Sequence, residues 1–396
     1  MDEQQAEEQT RIQAIQLYLD GVSPTELCRR VGHTRPWFYK WLRRYQTGDT
    51  DWHKDRSKAP VRVANKTPGS VEKQVLKIRG RLENSKYSQI GALAIQWEME
   101  RQGQAPLPAW TIDRILKRNN AVREKKRYTP TGRAYPAIKM VFSDSIQQAD
   151  LIGPRYIKND GRFYSLNVID LESYLTSIYP CRTKADEQMA QGLLYTWKNI
   201  GKPDFVQFDN ELSFRGSNRY PHSLGLVLRM CLALGVEAIF IPIGEPWRNG
   251  AIEKFQDVFD KMFYRKQFFP SFADLKHEAR AFETFRNKHH RCSALGGKTP
   301  LHHVESEGIQ LRKLDSTVSL KTIDLSLEDG CIHLIRFIRS KCHLDVFGEK
   351  FKLPKKLKYE YVIATICTDI HMLQVRVGNE LVKSFEYAIP IEYKRD

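Results

Sequence analysis

Three acidic residues stand out by where they fall. Asp150 sits inside the apolar run QQADLIG, Asp209 closes DFVQFD, and Glu253 follows the loop EPWRNG at the start of AIEKFQDVFDKMFY. A lone Asp within an apolar strand is costly unless something pairs with it. Strand ends and helix starts are where open α/β sheets gather functional groups. If the three meet, they offer hard oxygen donors, a set that suits Mg²⁺. Two such ions about 4 Å apart activate a nucleophile and stabilise the leaving oxygen of a phosphodiester. Taken singly, Asp209 reads better as a turn cap and Glu253 as an answer to the helix dipole. Asp150, in mid-strand, resists such a reading.

The elements that must position these residues follow a clear order. Strands are expected over 147–153, 162–170 and 174–180, the last ended by Pro180. A helix over 185–201 closes on Gly201, a strand over 204–209 ends on Asp209, and a helix over 224–234 closes on Gly235. A strand over 236–242 ended by Pro242 and a helix over 251–264 complete an α/β domain on a mixed sheet.

Ahead of it the chain is helical and basic. The formal net charge is +16, and residues 1–140 hold 27 Lys and Arg against 15 Asp and Glu. So concentrated a surplus is the footprint of a polyanion binder. Residues 10–20 predict a helix with Ile12, Ile15 and Leu19 inward, stopped by Gly21. Ser23-Pro24 starts a second helix that runs to Gly32, and Thr34 starts a third. In the third, Phe38, Trp41, Leu42 and Tyr45 face inward, while Arg35, Tyr39, Lys40, Arg43 and Arg44 lie largely opposite. This is the helix-turn-helix pattern, with a basic outer face suited to a major groove. Residues 49–70 read as a linker, with Lys54, Arg56, Lys58 and Arg62 recurring along it. Further helices are expected over 71–83, 88–102 and 110–119. Val75, Ile78 and Leu82 point inward from the first, Ile90, Leu93, Ile95 and Trp97 are among the apolar residues of the second, and the last has Arg114, Lys117 and Arg118 outward.

After residue 311, TVSLKTIDLSL, CIHLIRFI, KCHLDVFGEKFKL, YEYVIATIC and HMLQVRVGNELVKSF read as β-rich runs of a small barrel, with a Lys-rich stretch from Lys350 to Lys358. Seven scattered cysteines without a CxxC pair argue against a disulfide framework or a Cys-based zinc site, and for a reducing, cytoplasmic setting. No run of 18 apolar residues exists to span a membrane, and the polar N-terminus is not a secretory signal.

QQADLIG, FDNELSF, PWRNGAIEKF and RNKHHRCSALGGKTPLHHV occur in order along the chain. On these blocks the chain resembles the insertion-sequence transposases of the retroviral-integrase-like (D,D,E) superfamily, over roughly residues 10–305. The resemblance implies a multidomain chain. Its parts are N-terminal all-α helix-turn-helix modules (1–48 and 71–127, joined by the 49–70 linker), a central α/β ribonuclease-H-like integrase core (140–305) and a C-terminal all-β small barrel (311–396). It implies that Asp150, Asp209 and Glu253 are the catalytic, metal-binding triad, holding two Mg²⁺ or Mn²⁺ ions. Asn210, Asn249 and Gly250 would shape the site, and Trp247 and Arg248 would touch the DNA end. The expected reaction is hydrolysis at an element end followed by strand transfer into target DNA, with no covalent enzyme intermediate. The expected partners are double-stranded DNA and at least one further copy of the chain, in a bacterial-type, nucleoid-associated setting. The alternative is a catalytically silent, sequence-specific DNA-binding protein derived from a transposase. Gln147-Gln148 and Glu211 depart from the family pattern, and the 44-position separation of Asp209 and Glu253 predicts an inserted loop at 214–221.

Overall fold

Ser23 and Gly32 punctuate the N-terminal helices as their residue types dictate. The Glu26 backbone N–H donates to Ser23 Oγ, and Gly32 adopts φ 71°, the left-handed turn that ends the helix. In the computed structural model, which describes residues 3–56, 67–122, 135–136, 138–142, 145–217 and 222–390, these helices are α1 (Glu3–Leu19), α2 (Pro24–Val31) and α3 (Arg35–Gln46). The chain divides into two units, residues 1–68 and 69–396.

In the first unit, Ala14, Ile15, Leu27, Cys28, Phe38 and Leu42 form the core. Phe38, Trp41 and Leu42 are buried as expected, while Tyr45 is exposed. On α1 the expected face is wrong in two of three places. Ile15 is buried, but Ile12 and Leu19 are exposed. The helix is rolled so that Arg11, Ala14 and Ile15 form the inward stripe, and the Arg11 guanidinium lies 4.0 Å from the Trp41 ring centroid. Arg11 also donates to the His53 carbonyl (2.8 Å) and to Asp55 Oδ2 (2.9 Å). Residues up to 55, expected as linker, are therefore folded onto the bundle. Lys58 and Arg62 lie outside the described residues.

The second unit opens with α4 (Gly69–Asn84), α5 (Ala92–Arg101) and α6 (Ala109–Arg118), closed around Val75, Ile78, Ile95, Met99, Ile112, Ile115 and Leu116. Leu93, expected among the apolar residues of its helix, is exposed at 40%. After the short α7 (Ile138–Val141) come β1 (Ile146–Ile157), β2 (Gly161–Asp170), β3 (Thr176–Cys181), α8 (Asp186–Ile200), β4 (Phe205–Phe208), α9 (Leu212–Arg215), α10 (Leu226–Ala233) and β5 (Glu237–Phe240). Next are α11 (Gly250–Phe259), a π-helical turn (Asp260–Tyr264), α12 (Phe272–His289) and α13 (Pro300–Glu307). The short α9 occupies part of the segment expected as an inserted loop, of which residues 218–221 lie outside the description.

The C-terminal strands correct the expected barrel. β6 (Cys331–Phe337), β9 (Tyr361–Cys367), β10 (Met372–Val377) and β11 (Glu380–Glu386) continue one nine-stranded sheet, in the order β11-β10-β9-β6-β5-β4-β1-β2-β3. Only β7 (His343–Val346) and β8 (Glu349–Lys352) stand apart, as a hairpin. The run 317–327 forms no strand. The reason lies in β5, whose outer edge would present unpaired amides. β6 covers it in parallel register, Ala238 opposite Ile332 and Phe240 opposite Leu334.

Alternation along the strands sorts the two faces. Ala149, Val206 and Phe208 pack toward α8 and α10, in a core that also takes Ile332, Leu334 and Val375. Ile152, Phe163 and Ile178 pack toward α11 and α12 with Ile252, Phe255, Phe263 and Phe282. The other sheet edge near the site, β3, is capped by side chains of α12. The Thr176 N–H donates to Asn287 Oδ1 (2.9 Å), Asn287 Nδ2 donates to the Thr176 carbonyl (2.8 Å), and the Ile178 N–H donates to Glu283 Oε2 (2.6 Å). Asn287 thus acts as a one-residue strand. Replacing it by Ala should strand a buried donor and acceptor and lower stability by roughly 1–3 kcal/mol, read as a reduced urea midpoint at unchanged slope. An unchanged midpoint would show that the edge is satisfied otherwise.

Candidate active site

β1 and β4 run parallel with Gln147 level with Val206 and Gln148 level with Gln207. Two residues further along each chain lie Asp150 and Asp209. The register therefore sets the two carboxylates side by side, on strands about 4.8 Å apart. Both belong to the face that α11 covers, because Ala149 and Phe208 point the other way.

The helix carrying Glu253 is fixed to the same face by neutral amides. The Ile252 N–H donates to Gln148 Oε1 (3.1 Å). Gln207 Nε2 donates to the Arg248 carbonyl (3.2 Å) and to Asn249 Oδ1. One turn beyond Glu253, Gln256 Nε2 donates to Asp150 Oδ2. Glu253 and Gln256 share a helix face at three-residue spacing, so the carboxylate of Glu253 is brought toward the aspartate pair. Its charge registers there. Burial first, then the charge of Asp209 and to a lesser degree that of Glu253, push the Asp150 carboxyl up to about 6. Burial also raises Asp209 above the ordinary carboxylate range, with the Glu211 charge adding and Lys184 opposing.

Sequence reasoning singled out the carboxylates but not the glutamines that frame them. Gln147 and Gln148 had stood only as a departure from a family pattern. Gln147 faces the opposite side, where Trp197 Nε1 donates to it (3.1 Å) and it donates to the Gly201 carbonyl (2.9 Å). The signal was the run of amides flanking an acid within an otherwise apolar strand. The turn after β4 is held similarly. The Glu211 N–H donates to Asp209 Oδ1 (3.0 Å), Asn210 Nδ2 donates to the Ile241 carbonyl (2.8 Å), and the buried Arg336 of β6 donates to Asn210 Oδ1 (2.9 Å) and to the Ile241 carbonyl (3.0 Å).

The remaining candidates separate into exposed and engaged groups. Arg35, Tyr39, Lys40 and Arg43 of α3 are exposed, while Arg44 is half-buried and donates to the Lys54 carbonyl (3.2 Å). On α6, Arg114, Lys117 and Arg118 are exposed, and Arg118 pairs with Glu72 (2.9 Å). Trp247 is 59% exposed. Arg248 is not free beside it. It donates to Glu245 (2.8 Å) and to Tyr361 Oη (2.9 Å), and its guanidinium lies 3.9 Å from the Tyr135 ring centroid. This clasp ties the loop before α11 to β9.

The donor set at the aspartate pair is oxygen-only and carries like charges in a half-buried place, which fits a hard divalent cation. Among the described residues, however, no three His, Cys, Asp or Glu side chains are gathered closely enough to grip an ion together. Gln256 stands on one of the oxygens in question. The coupling of the two aspartates is open to direct test. In chelator-treated protein, Asp209→Asn should lower the Asp150 pKa from its value near 6, because a like charge is removed while burial persists. Carboxyl ¹³C titration would read this, and an unmoved Asp150 would place the two groups apart.

Residues 5–52 match the model of a homeodomain-like domain, and residues 234–300, which include Glu253, match that of an integrase core domain. Solved structures with a related trace include the HTLV-2 integrase catalytic core domain in complex with magnesium, at 16% identity and a TM-score of 0.30 over 40% of this chain and 94% of that one. A simian T-cell lymphotropic virus intasome in complex with a PP2A regulatory subunit aligns at 13% identity and a TM-score of 0.37, over 68% and 84%. The catalytic core domain of BIV integrase aligns at 17% and 0.32, over 42% and 97%. The two family-model matches, rather than these distant likenesses, bear on the family. The segment around Glu253 is similar to an integrase core domain, and one ahead of it to a homeodomain-like domain, the pairing that the resemblance to the integrase-like transposases implies.

Proposed function

We propose that the protein is a DNA transposase that binds element ends and carries out metal-dependent phosphodiester hydrolysis and strand transfer. The observation that carries this reading is the register that sets Asp150 beside Asp209, with Glu253 delivered to them by a helix within an integrase core domain. The order β3-β2-β1-β4-β5 with α11 across its face is the arrangement expected of a ribonuclease-H-like core.

Asp150, Asp209 and Glu253 would hold Mg²⁺ or Mn²⁺, two ions in the full site. Bound there, the ions would supply charge stabilisation to a phosphodiester in transfer. The chain's own residues do the positioning. Gln148 and Gln207 fix α11 and the loop before it, and Arg336 with Asn210 fixes the turn that presents Asp209. Asp150 must be ionised to ligate, and a cation bound there would compete with the proton that burial and the neighbouring charges favour. In the reaction proposed, water frees a 3′-hydroxyl at the element end, and that hydroxyl attacks target DNA in line. No protein side chain is required as nucleophile.

DNA recognition falls to Arg35, Tyr39, Lys40 and Arg43 of α3, with Arg44 supporting them, and to Arg114, Lys117 and Arg118 of α6. Arg248 serves the site mainly through its clasp with Glu245 and Tyr361, leaving Trp247 as the exposed group beside it. Joining two ends to one target calls for at least two copies of the chain.

Strand transfer of a labelled end into a supercoiled plasmid tests the proposal. Wild type with Mg²⁺ or Mn²⁺ should yield joined product. Glu253→Gln and chelator should each abolish the product while leaving end binding within about two-fold, since binding comes from phosphate and base contacts elsewhere. Product from Glu253→Gln would remove Glu253 from the site.

A further inference from the structure

Where the helices α4–α6 dock on the core, they line an open cavity of about 870 Å³ on the side of α11 away from Gln256. Its position is fixed by paired contacts. Gln89 Nε2 donates to the Arg291 carbonyl (2.9 Å), and the Arg291 N–H donates to Gln89 Oε1 (3.0 Å). Tyr87 packs on Phe282 and Phe285 and donates to Glu278 Oε2 (2.7 Å). The walls are largely apolar, with Trp97, Tyr174, Phe255, Val258 and Met262 among them. Gly297, at φ +87°, lets its loop close on Trp97, whose ring atoms lie 3.2–3.4 Å from where a Cβ would sit.

One end of the cavity is cationic. Arg286 is only 5% exposed, and its Nε and Nη1 have no hydrogen-bond partner. Its neighbour Cys292 shares a hydrogen bond with it through the thiol, and among the described residues no carboxylate pairs with it. His290, 8% exposed, leaves Nδ1 unpartnered, and burial together with the charges of Arg286 and Lys254 holds its pKa down to about 3. Lys254 and Arg291 complete the cluster, and Asp113 is the one acid on the lining. A buried guanidinium without a counter-charge is strongly unfavourable. An anion bound in the cavity would supply the charge that the thiol of Cys292 does not.

We infer that this cavity receives one unpaired nucleotide of the DNA end, its phosphate on Arg286 and its base against Trp97 and the neighbouring apolar walls. Aromatic faces accept any base, and a buried Arg matches phosphate. The volume falls in the range of small-ligand sites. The inference rests on the DNA-processing reading only for the source of the nucleotide. The cavity lies across α11 from the carboxylates, so the helix carrying Glu253 would feel its occupancy.

The test uses the full chain in EDTA, so that no chemistry contributes. Affinity would be measured by fluorescence anisotropy for a blunt duplex and for the same duplex with a three-nucleotide single-stranded overhang. Arg286→Gln removes the phosphate partner. Leu93→Trp, at a half-exposed position on the rim, fills the cavity without touching Arg286 and covers the case in which the first variant misfolds. The overhang should bind tighter than the blunt duplex, and the folded variants should lose about ten-fold on the overhang with the blunt duplex unchanged. Equal binding of both duplexes by wild type, or variants that bind the overhang as wild type does, would overturn the proposal. So would an equal loss on both duplexes. Thymidine monophosphate and inorganic phosphate serve as competitors. Competition by the mononucleotide without discrimination between duplexes would assign the cavity to a free nucleotide and overturn the strand assignment. Equal competition by phosphate would overturn the role of the base. None of these readings depends on strand transfer, so loss of the catalytic reading and loss of this one are separable.

Discussion

Two carboxylates of like sign, held side by side in a half-buried place, are the constraint around which residues 69–396 are arranged. The parallel register of β1 on β4, which ends at Gln148 and Gln207, leads both chains on to Asp150 and Asp209 at the same level. Desolvation raises the pKa of both groups, and the charge of Asp209 adds to the rise at Asp150. Such a pair is tolerated because the surroundings are over-determined. The strands that carry it are buried on the opposite face by α8 and α10, and the turn after β4 is pinned by Arg336.

Neutral amides do the fixing close to that charge. Gln148, Gln207 and Gln256 each reach a backbone or side-chain partner within the site without adding charge of their own. A Lys or Arg in the same places would have neutralised the aspartates and drawn their pKa values back down. The cations of this region are set further out, in the Arg248 clasp and in Arg336. The sheet edges show a parallel division of labour. The outer edge of β5 is closed by another strand, and that of β3 is capped at Thr176 and Ile178 by Asn287 and Glu283 of a helix.

Much of this was legible in the residues. Glycines and prolines marked the element ends within a few positions, and an acid inside an apolar strand announced Asp150 before any geometry was known. What escaped was whatever depends on distant pairing. The strands β5 and β6 are separated by some ninety residues of chain, and no local pattern says that Ala238 will face Ile332. The C-terminal runs therefore read as a body of their own. Ile12 and Leu19 misled for a different reason. Helical periodicity names an apolar stripe but not the roll that brings Arg11 over Trp41. The glutamines were passed over because an amide carries no charge signature, and Arg248 read as a free cation because its partner Tyr361 lies more than a hundred residues away.

The pairing of β5 with β6 also bears on how the protein can be divided. A fragment ended near residue 310 would retain all three acids yet uncover the amide edge of β5 and the apolar residues now shielded by Ile332 and Leu334. It would also lose the guanidinium that holds Asn210 in place. Expressed alone, such a piece would present an adhesive strand to its neighbours and a slack turn beneath Asp209. The sheet that carries the three acids is completed only by strands that extend to the last one described.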